Sequence, residues 1–192
     1  ATAGWSQQPS ITWLGTLPGV YFSEAYGVSA DGSVVVGVSG RRAFRWTRAT
    51  GMQDLGTLPG GDESKAHGVS ADGSVVVGYA HGVGWGRAFR WTQATGMQDL
   101  GTLGGPWSHA YGVSADGSVV VGMAYNAAVA RAFRWHNGVM QDLGTLGGDA
   151  SAATGVSADG SVVVGEAVNA ARYNRAFRWT QATGMQDLGT LG

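Results

Sequence analysis

Gly27-Val28-Ser29-Ala30-Asp31-Gly32-Ser33-Val34-Val35-Val36-Gly37 returns without a single change at 68–78, 112–122 and 155–165. An Asp-Gly pair between two apolar runs is a strong short-range hairpin signal, because both turn positions tolerate positive φ. The steps between copies are 41, 44 and 43 residues, a period shared by propeller blades and by helical HEAT-type arrays. What fills the period decides between them. Arg-Ala-Phe-Arg-Trp follows each hairpin, ending at Trp46, Trp91, Trp135 and Trp179, and a Met-Gln-Asp-Leu-Gly-Thr-Leu run follows each of these. Triple valine and alternating Phe/Trp suit strands, and glycine every few residues would ruin helices. Each period therefore reads as four short strands, named a, b, c and d in chain order. A trefoil has only three such units, and a β-solenoid would need parallel coils that the Asp-Gly hairpin argues against.

Four antiparallel strands with short turns, then a Gly/Pro link, describe a propeller blade. The expected fold is all-β: a β-propeller of four-stranded blades, four repeats of about 44 residues plus one extra N-terminal d-type strand. The expected layout is an N-terminal extension over 1–10, a d strand over 11–17, and repeats at 18–58, 59–103, 104–146 and 147–191. The extra strand arises because Leu-Gly-Thr-Leu occurs five times, from Leu14, Leu55, Leu100, Leu143 and Leu188, against four copies of everything else. A closed four-bladed ring has no place for it. One copy is displaced, the chain is a segment of a larger ring, or the spare strand pairs with another molecule, since unpaired edges are sticky. Self-association through the surplus strand is thus an expectation.

Composition narrows the function. A net charge of −1 with 13% charged residues offers no electrostatic footprint for nucleic acid. No apolar run reaches the length of a membrane-spanning helix. There are no cysteines, which leaves the redox compartment open, since a repeat array can bury a continuous core without staples. Ala1 is compatible with removal of a preceding signal peptide.

The motif set resembles the HAF family of extracellular repeats, named for a His-Ala-Phe motif. That motif stands here as Arg-Ala-Phe at Arg42, Arg87, Arg131 and Arg175, a departure; the Gly-Val-Ser, Asp-Gly and Leu-Gly-Thr-Leu elements agree, over residues 11 to 192. The a–b hairpin also looks like the blade-opening hairpin of Tol-type propellers. The resemblance to HAF repeats implies export, a secreted or cell-surface location, and no catalytic residues.

Comparison among the four repeats separates framework from candidate site. Phe44, Trp46 and their copies sit two apart on one strand face and are expected in the core between blades. Paired arginines (Arg42, Arg45 and copies) and aspartates (Asp31, Asp54 and copies) recur in equal number, which predicts internal ion pairing over an anion-binding basic ring. Asp31-Gly32 lacks the several oxygen ligands a calcium loop needs and reads as a turn. The variable segments are the b–c loops (Val38–Arg41, Tyr79–Gly86, Met123–Ala130, Glu166–Asn174) and the d–a links (Val20–Phe22, Asp62–Lys65, Pro106–His109, Asp149–Ala152). In an up-down blade these all lie at one end, where loops on a rigid scaffold usually bind. The ligand-binding candidates there are Trp85, Trp107, His109, Tyr125, Asn126, Arg172, Tyr173 and Asn174. Aromatics mixed with amides and hydroxyls suit a sugar or a protein partner, although one-sided loop drift is also normal in repeat arrays. His67 and His109 both fall near the start of an a strand, at the mouth of the channel, but without a carboxylate pattern to make a metal site. No nucleophile motif or phosphate loop is present. The reading is a non-enzymatic extracellular binding or adhesion module, or a self-assembling one, with a glycan or a surface protein as partner. A lectin is the alternative and a propeller hydrolase or lyase a more distant third. No cofactor, metal or catalytic residue is assigned.

Overall fold

The computed structural model describes residues 11–191; residues 1–10, read above as an extension, and the position of any removed signal peptide lie outside the described residues. Sixteen strands form four antiparallel sheets, with no helix among the described residues. Blade 1 holds β1 (Ser23–Val28), β2 (Val34–Ser39), β3 (Arg42–Thr47) and β4 (Gly51–Asp54). Blade 2 holds β5 (Ser64–Val69), β6 (Val75–His81), β7 (Gly86–Thr92) and β8 (Gly96–Asp99). Blade 3 holds β9 (Ser108–Val113), β10 (Val119–Tyr125), β11 (Ala130–His136) and β12 (Val139–Asp142). Blade 4 holds β13 (Gly147–Val156), β14 (Val162–Asn169), β15 (Asn174–Thr180) and β16 (Gly184–Asp187). Spatial order within each sheet follows chain order, so the a–b–c–d reading of the period holds and the fold is a β-propeller blade array. The a strands of neighbouring blades touch one another, β1 to β5, β5 to β9 and β9 to β13, which puts them on the inner side of the array.

The repeated motif explains itself locally. Asp31 Oδ1 accepts from the Ser33 amide at 2.9 Å and from the Ser29 and Ser33 hydroxyls at 2.7 and 2.8 Å, closing the a–b turn; Asp72 and Asp116 repeat the set. The Asp-Gly pair is a turn, as its residues suggested. Every a strand carries a bulge one residue before its Gly-Val, at Tyr26, His67, Tyr111 and Thr154. The glycine closing Val-Val-Val-Gly faces the partner strand beside that bulge: a Cβ on Gly78 would lie 1.9 Å from the Lys65 carbonyl oxygen.

Blades join face to face through one apolar set used three times. Val34, Val36, Ala43 and Leu55 of blade 1 pack on Ala66, Val76, Ala80, Phe89 and Trp91 of blade 2. The same positions build the second and third junctions, where Phe133 and Phe177 stand in for Phe89. Full burial of each Phe or Val stabilises by about 1.5–3 kcal/mol. Polar bonds repeat with equal regularity. Ser64 Oγ accepts from the Ala43 amide at 2.9 Å and donates to the Gly56 carbonyl at 2.6 Å, and Ser108 and Ser151 do the same one and two blades on.

Two expectations need correction. The framework arginines and aspartates do not pair with each other as a rule. Arg45, Arg90 and Arg134 instead donate from Nε to the carbonyls of Gly73, Gly117 and Gly160 in the next blade's turn, while the turn aspartates satisfy their own turns; among the described residues Arg87 with Asp99, at 3.7 Å, is the one framework ion pair. A carbonyl and local hydroxyls bind these charges without burying an ion pair, which is the cheaper arrangement. The second correction is to the d strand expected over 11–17: no strand forms there. Ile11 and Trp13 are exposed, whereas Leu17 is buried and its amide donates to Ser39 Oγ at 2.9 Å. Gly15 accepts from Ser23 Oγ just as Gly56 accepts from Ser64. This fifth copy therefore acts as the link entering blade 1.

The ring is not closed within the described residues. Blade 4 makes no junction with blade 1 like those between successive blades. Val164 is 41% exposed where Val36, Val77 and Val121 are wholly buried, and Val28 of blade 1 is 60% exposed. The four blades form an open arc.

Candidate functional site

The b–c loops and d–a links do share one end of the arc. Trp85, from the loop between β6 and β7, meets Trp107, from the link into β9, with ring centroids 5.7 Å apart and nearly perpendicular planes. Arg41, between β2 and β3, pairs with Asp62 of the following link at 2.8 Å. The loops are shorter than expected, because b strands run on to His81, Tyr125 and Asn169.

From that end a continuous strip of rings descends along blades 1 to 3. Trp85 leads to Trp107, Trp107 to His81 (6.0 Å), His81 to Tyr79 (5.8 Å) and Tyr79 to His109 (4.5 Å). His109 leads to Tyr111 (6.2 Å), Tyr111 to His67 (5.8 Å), and His67 to Tyr26 (5.5 Å). Tyr79 is the hub, since it also stacks against His67 at 6.3 Å. The backbone explains the assembly. Tyr26, His67 and Tyr111 are the bulged residues of three successive a strands, and a bulge re-aims the side chain it carries. Tyr79 and His81 alternate along β6 and so share a face. Gly86 leaves room for the upper end: a Cβ there would meet the Trp107 ring at 2.8 Å.

Polar groups flank the strip. Tyr79 donates its hydroxyl to Glu63 Oε1 at 2.7 Å, Lys65 stands 3.6 Å from the same oxygen, and Arg41 reaches the other at 3.5 Å. Burial and the Glu63 hydrogen bond push the Tyr79 phenol up, while that bond holds the Glu63 carboxyl below its usual value. Burial lowers His67, and burial with the charges of His67 and His81 lowers His109 to about 4. Near neutrality His67 and His109 are thus uncharged imidazoles among phenols and indoles. None of its histidines takes a hydrogen bond from, or gives one to, a carboxylate among the described residues.

The structure divides the residues expected to bind. Trp85, Trp107 and His109 belong to the strip. Tyr125 ends β10 instead of standing on a loop; it is half-buried and pinned by its amide to the Trp107 carbonyl at 2.8 Å. Asn126 is a turn former, its Oδ1 accepting from the Ala128 and Val129 amides. Arg172, Tyr173 and Asn174 lie on blade 4, away from the strip. Arg172 holds a positive φ of 63° in the β14–β15 turn, Tyr173 lies under the Arg175 guanidinium, and Asn174 donates to Glu166 at 2.7 Å. Asn174 and Glu166 line a separate shallow groove with Thr154.

Missing from the expected set were Tyr26, His67, Tyr79, His81 and Tyr111. One signal for three of them was in the repeats: the residue before Gly-Val reads Tyr, His, Tyr, Thr within an otherwise fixed motif. On the opposite face the grooves repeat. Three, each of about 550–580 Å³, lie beside the c–d turns of blades 1, 2 and 4 and are lined by Trp, Arg and a turn Asp. Arg45, Arg90 and Arg134 donate from Nε to turn carbonyls there, and the turn aspartates line the same grooves, so both charges share this face.

No family model matches the chain, and no curated protein does. Solved structures match its fold. TolB from Acinetobacter baumannii is 15% identical, with a TM-score of 0.64 over 88% of this chain and 44% of that one. A putative TolB from Agrobacterium tumefaciens is 18% identical, with a TM-score of 0.67 over 88% and 62%. A puromycin hydrolase is 18% identical, with a TM-score of 0.55 over 90% and 30%. The chain spans less than two thirds of the length of each. At these identities the likeness concerns the β-propeller fold alone, which both an enzyme and proteins named TolB display.

Proposed function

We propose that this chain is a non-catalytic binding module of an exported, secreted or cell-surface protein, and that it engages its partner along the aromatic–imidazole strip on its variable face. The observation that carries the reading is the strip itself. Eight rings from three blades and two connections are brought into one line, at positions where the repeats differ, on a scaffold that is otherwise near-identical from blade to blade. Rigid aromatics supply contact area at small entropic cost, and the Glu63–Tyr79–Lys65–Arg41 group at their flank supplies direction. The imidazoles are placed by ring packing and not by an oriented carboxylate, which favours contact over proton transfer. The exported setting rests on the resemblance to HAF repeats.

A carbohydrate partner is the second reading, favoured by Trp85 and Trp107. Trp85 is half-exposed beside a perpendicular neighbour, and an exposed indole face takes the apolar side of a sugar ring. A glycan array on the purified chain, run beside Trp85→Ala and Tyr79→Phe variants, tests both readings. Binding lost in both variants supports the strip and a sugar ligand. Binding untouched by either variant would refute the strip as the site. A blank array with retained capture of a protein partner, sensitive to the same substitutions, leaves the module and removes the sugar.

A further inference from the structure

Blade 4 ends in half of a junction, and blade 1 begins with the other half. Four features recur at each of the three internal junctions. The second-blade Ser (64, 108, 151) accepts from the first-blade Ala amide (43, 88, 132). The amides of Ala30, Ala71 and Ala115 donate to the carbonyls of Ala71, Ala115 and Ala158 at 2.9–3.0 Å. Arginine Nε of one blade donates to the turn glycine of the next. Finally, the turn glycine lies against the first valine of the preceding b strand, so closely that a Cβ on Gly73, Gly117 or Gly160 would fall 2.3–2.6 Å from Val34, Val75 or Val119.

At the ends every one of these groups is present and lacks its counterpart. On blade 4, Ala176 and Leu188 are exposed where Ala43, Ala88, Ala132, Leu55, Leu100 and Leu143 are buried. The Ala158 amide and Arg178 meet no further turn among the described residues. On blade 1, Ala25 is exposed where Ala66, Ala110 and Ala153 are fully buried. Gly32 is exposed, and nothing lies within 4 Å of where its Cβ would be. The residues on both ends are the same types, in the same register, as those that already dock three times.

We infer that a second copy of this chain docks head to tail, its blade 1 seated on the open face of blade 4. The fourth junction then forms with Ser23 Oγ taking the Ala176 amide, the Ala30 carbonyl taking the Ala158 amide, the Gly32 carbonyl taking Arg178, and Gly32 resting on Val162. Such a contact is heterologous, so it closes into a ring or propagates according to the angle it sets. Leu14–Leu17 of the incoming copy and Leu188–Leu191 of the receiving copy carry the same Leu-Gly-Thr-Leu and claim one path. The incoming segment keeps it, because Leu17 is already buried and Gly15 already holds Ser23, whereas Leu188 and Leu191 are exposed.

Analytical ultracentrifugation of the intact chain over a wide concentration range tests the inference. The intact chain is expected above its 19.7 kDa monomer mass. Ala25→Glu and Ala176→Glu, both at exposed positions, should each retain the β-sheet circular dichroism of the intact chain and sediment as monomers. Mixed one to one, they should recover a dimer, because each variant keeps the end that the other has lost. Val28→Lys with Val164→Lys repeats the logic should either glutamate variant fail to fold. An intact chain that stays monomeric at high concentration overturns the inference. So do single variants that assemble like the parent, or a mixture that stays monomeric.

Discussion

Ser64→Ala and Ser23→Ala remove the same atom from the same place in the repeat, and they should differ severalfold in cost. Ser64 is fully buried. Its hydroxyl holds the Ala43 amide of the preceding blade and the Gly56 carbonyl of its own link. Alanine leaves both groups without a partner in a sealed junction, and a buried unsatisfied group costs about 1–3 kcal/mol. The neighbouring backbone cannot move away, because the Ala43 amide sits in strand β3 and water has no entry. The expected loss is therefore roughly 2–4 kcal/mol, within the range that a broken buried network produces. Ser23 is half-exposed and makes only the Gly15 bond, at 2.8 Å. Water can replace that bond, so its loss should stay below about 1 kcal/mol. Urea unfolding followed by tryptophan fluorescence, at a concentration where the chain is monomeric, gives both values against the parent. Equal losses would falsify the claim that junction serines are held by both blades, and would place the stabilisation inside single sheets.

Further outcomes follow from the same geometry. Trp91→Ala should cost about 3–5 kcal/mol in the same urea assay, since the ring is buried in the first junction; a near-neutral result would mean that the strand faces are assigned wrongly. Gly86→Ala should push the Trp107 ring off its seat and change near-ultraviolet circular dichroism with little loss of β-structure; an unchanged aromatic signal would contradict the 2.8 Å approach. The four turn aspartates have carboxyls held down to about 2 by their turn hydrogen bonds. Their contribution is complete above the ordinary carboxylate value and fades as pH falls toward 2, so Asp72→Asn should flatten that part of an acid-stability profile.

Most of the architecture was legible because the period repeats its own grammar. Asp31-Gly32 forced a hairpin, and the Phe-x-Trp spacing fixed a face. The equal count of arginine and aspartate misled, because formal charge does not reveal that a turn carbonyl will serve Arg45 or that Ser29 and Ser33 will serve Asp31. Strand status for Ile11–Leu17 also failed: every d strand ends at the Asp before Leu-Gly-Thr-Leu, so those letters are link in each blade, and 11–17 lacks the Met-Gln-Asp that forms the strand. The site was half legible. Trp85, Trp107 and His109 stood out as variable aromatics. Tyr125 was misplaced because b strands extend past their motif glycine. Tyr26, His67 and Tyr111 converge through a bulge, which is visible in the sequence only as one unmatched residue before Gly-Val.

The strip sets its own pH dependence, and here the sign is opposite to a histidine held by a carboxylate. Burial lowers His67, and His109 falls to about 4. A buried imidazole kept neutral in the folded state takes its proton more readily once the chain unfolds. Its contribution to stability is therefore full above the ordinary imidazole value near 6.5. It drains away as pH falls from there toward 4, a window distinct from that of the turn aspartates. Since Tyr79 stacks on both imidazoles, their protonation should also loosen the strip before the blades themselves yield. His109→Gln removes the imidazole held down to about 4, and glutamine does not titrate. Urea midpoints measured from pH 7.5 to 4 should decline for the parent from about 6.5 downward and decline less for this variant. Ligand binding along the strip should weaken in parallel in the parent. Superimposable profiles for the two proteins would mean that His109 is solvated rather than packed between Tyr79 and Tyr111, and the strip would then have to be redrawn without it.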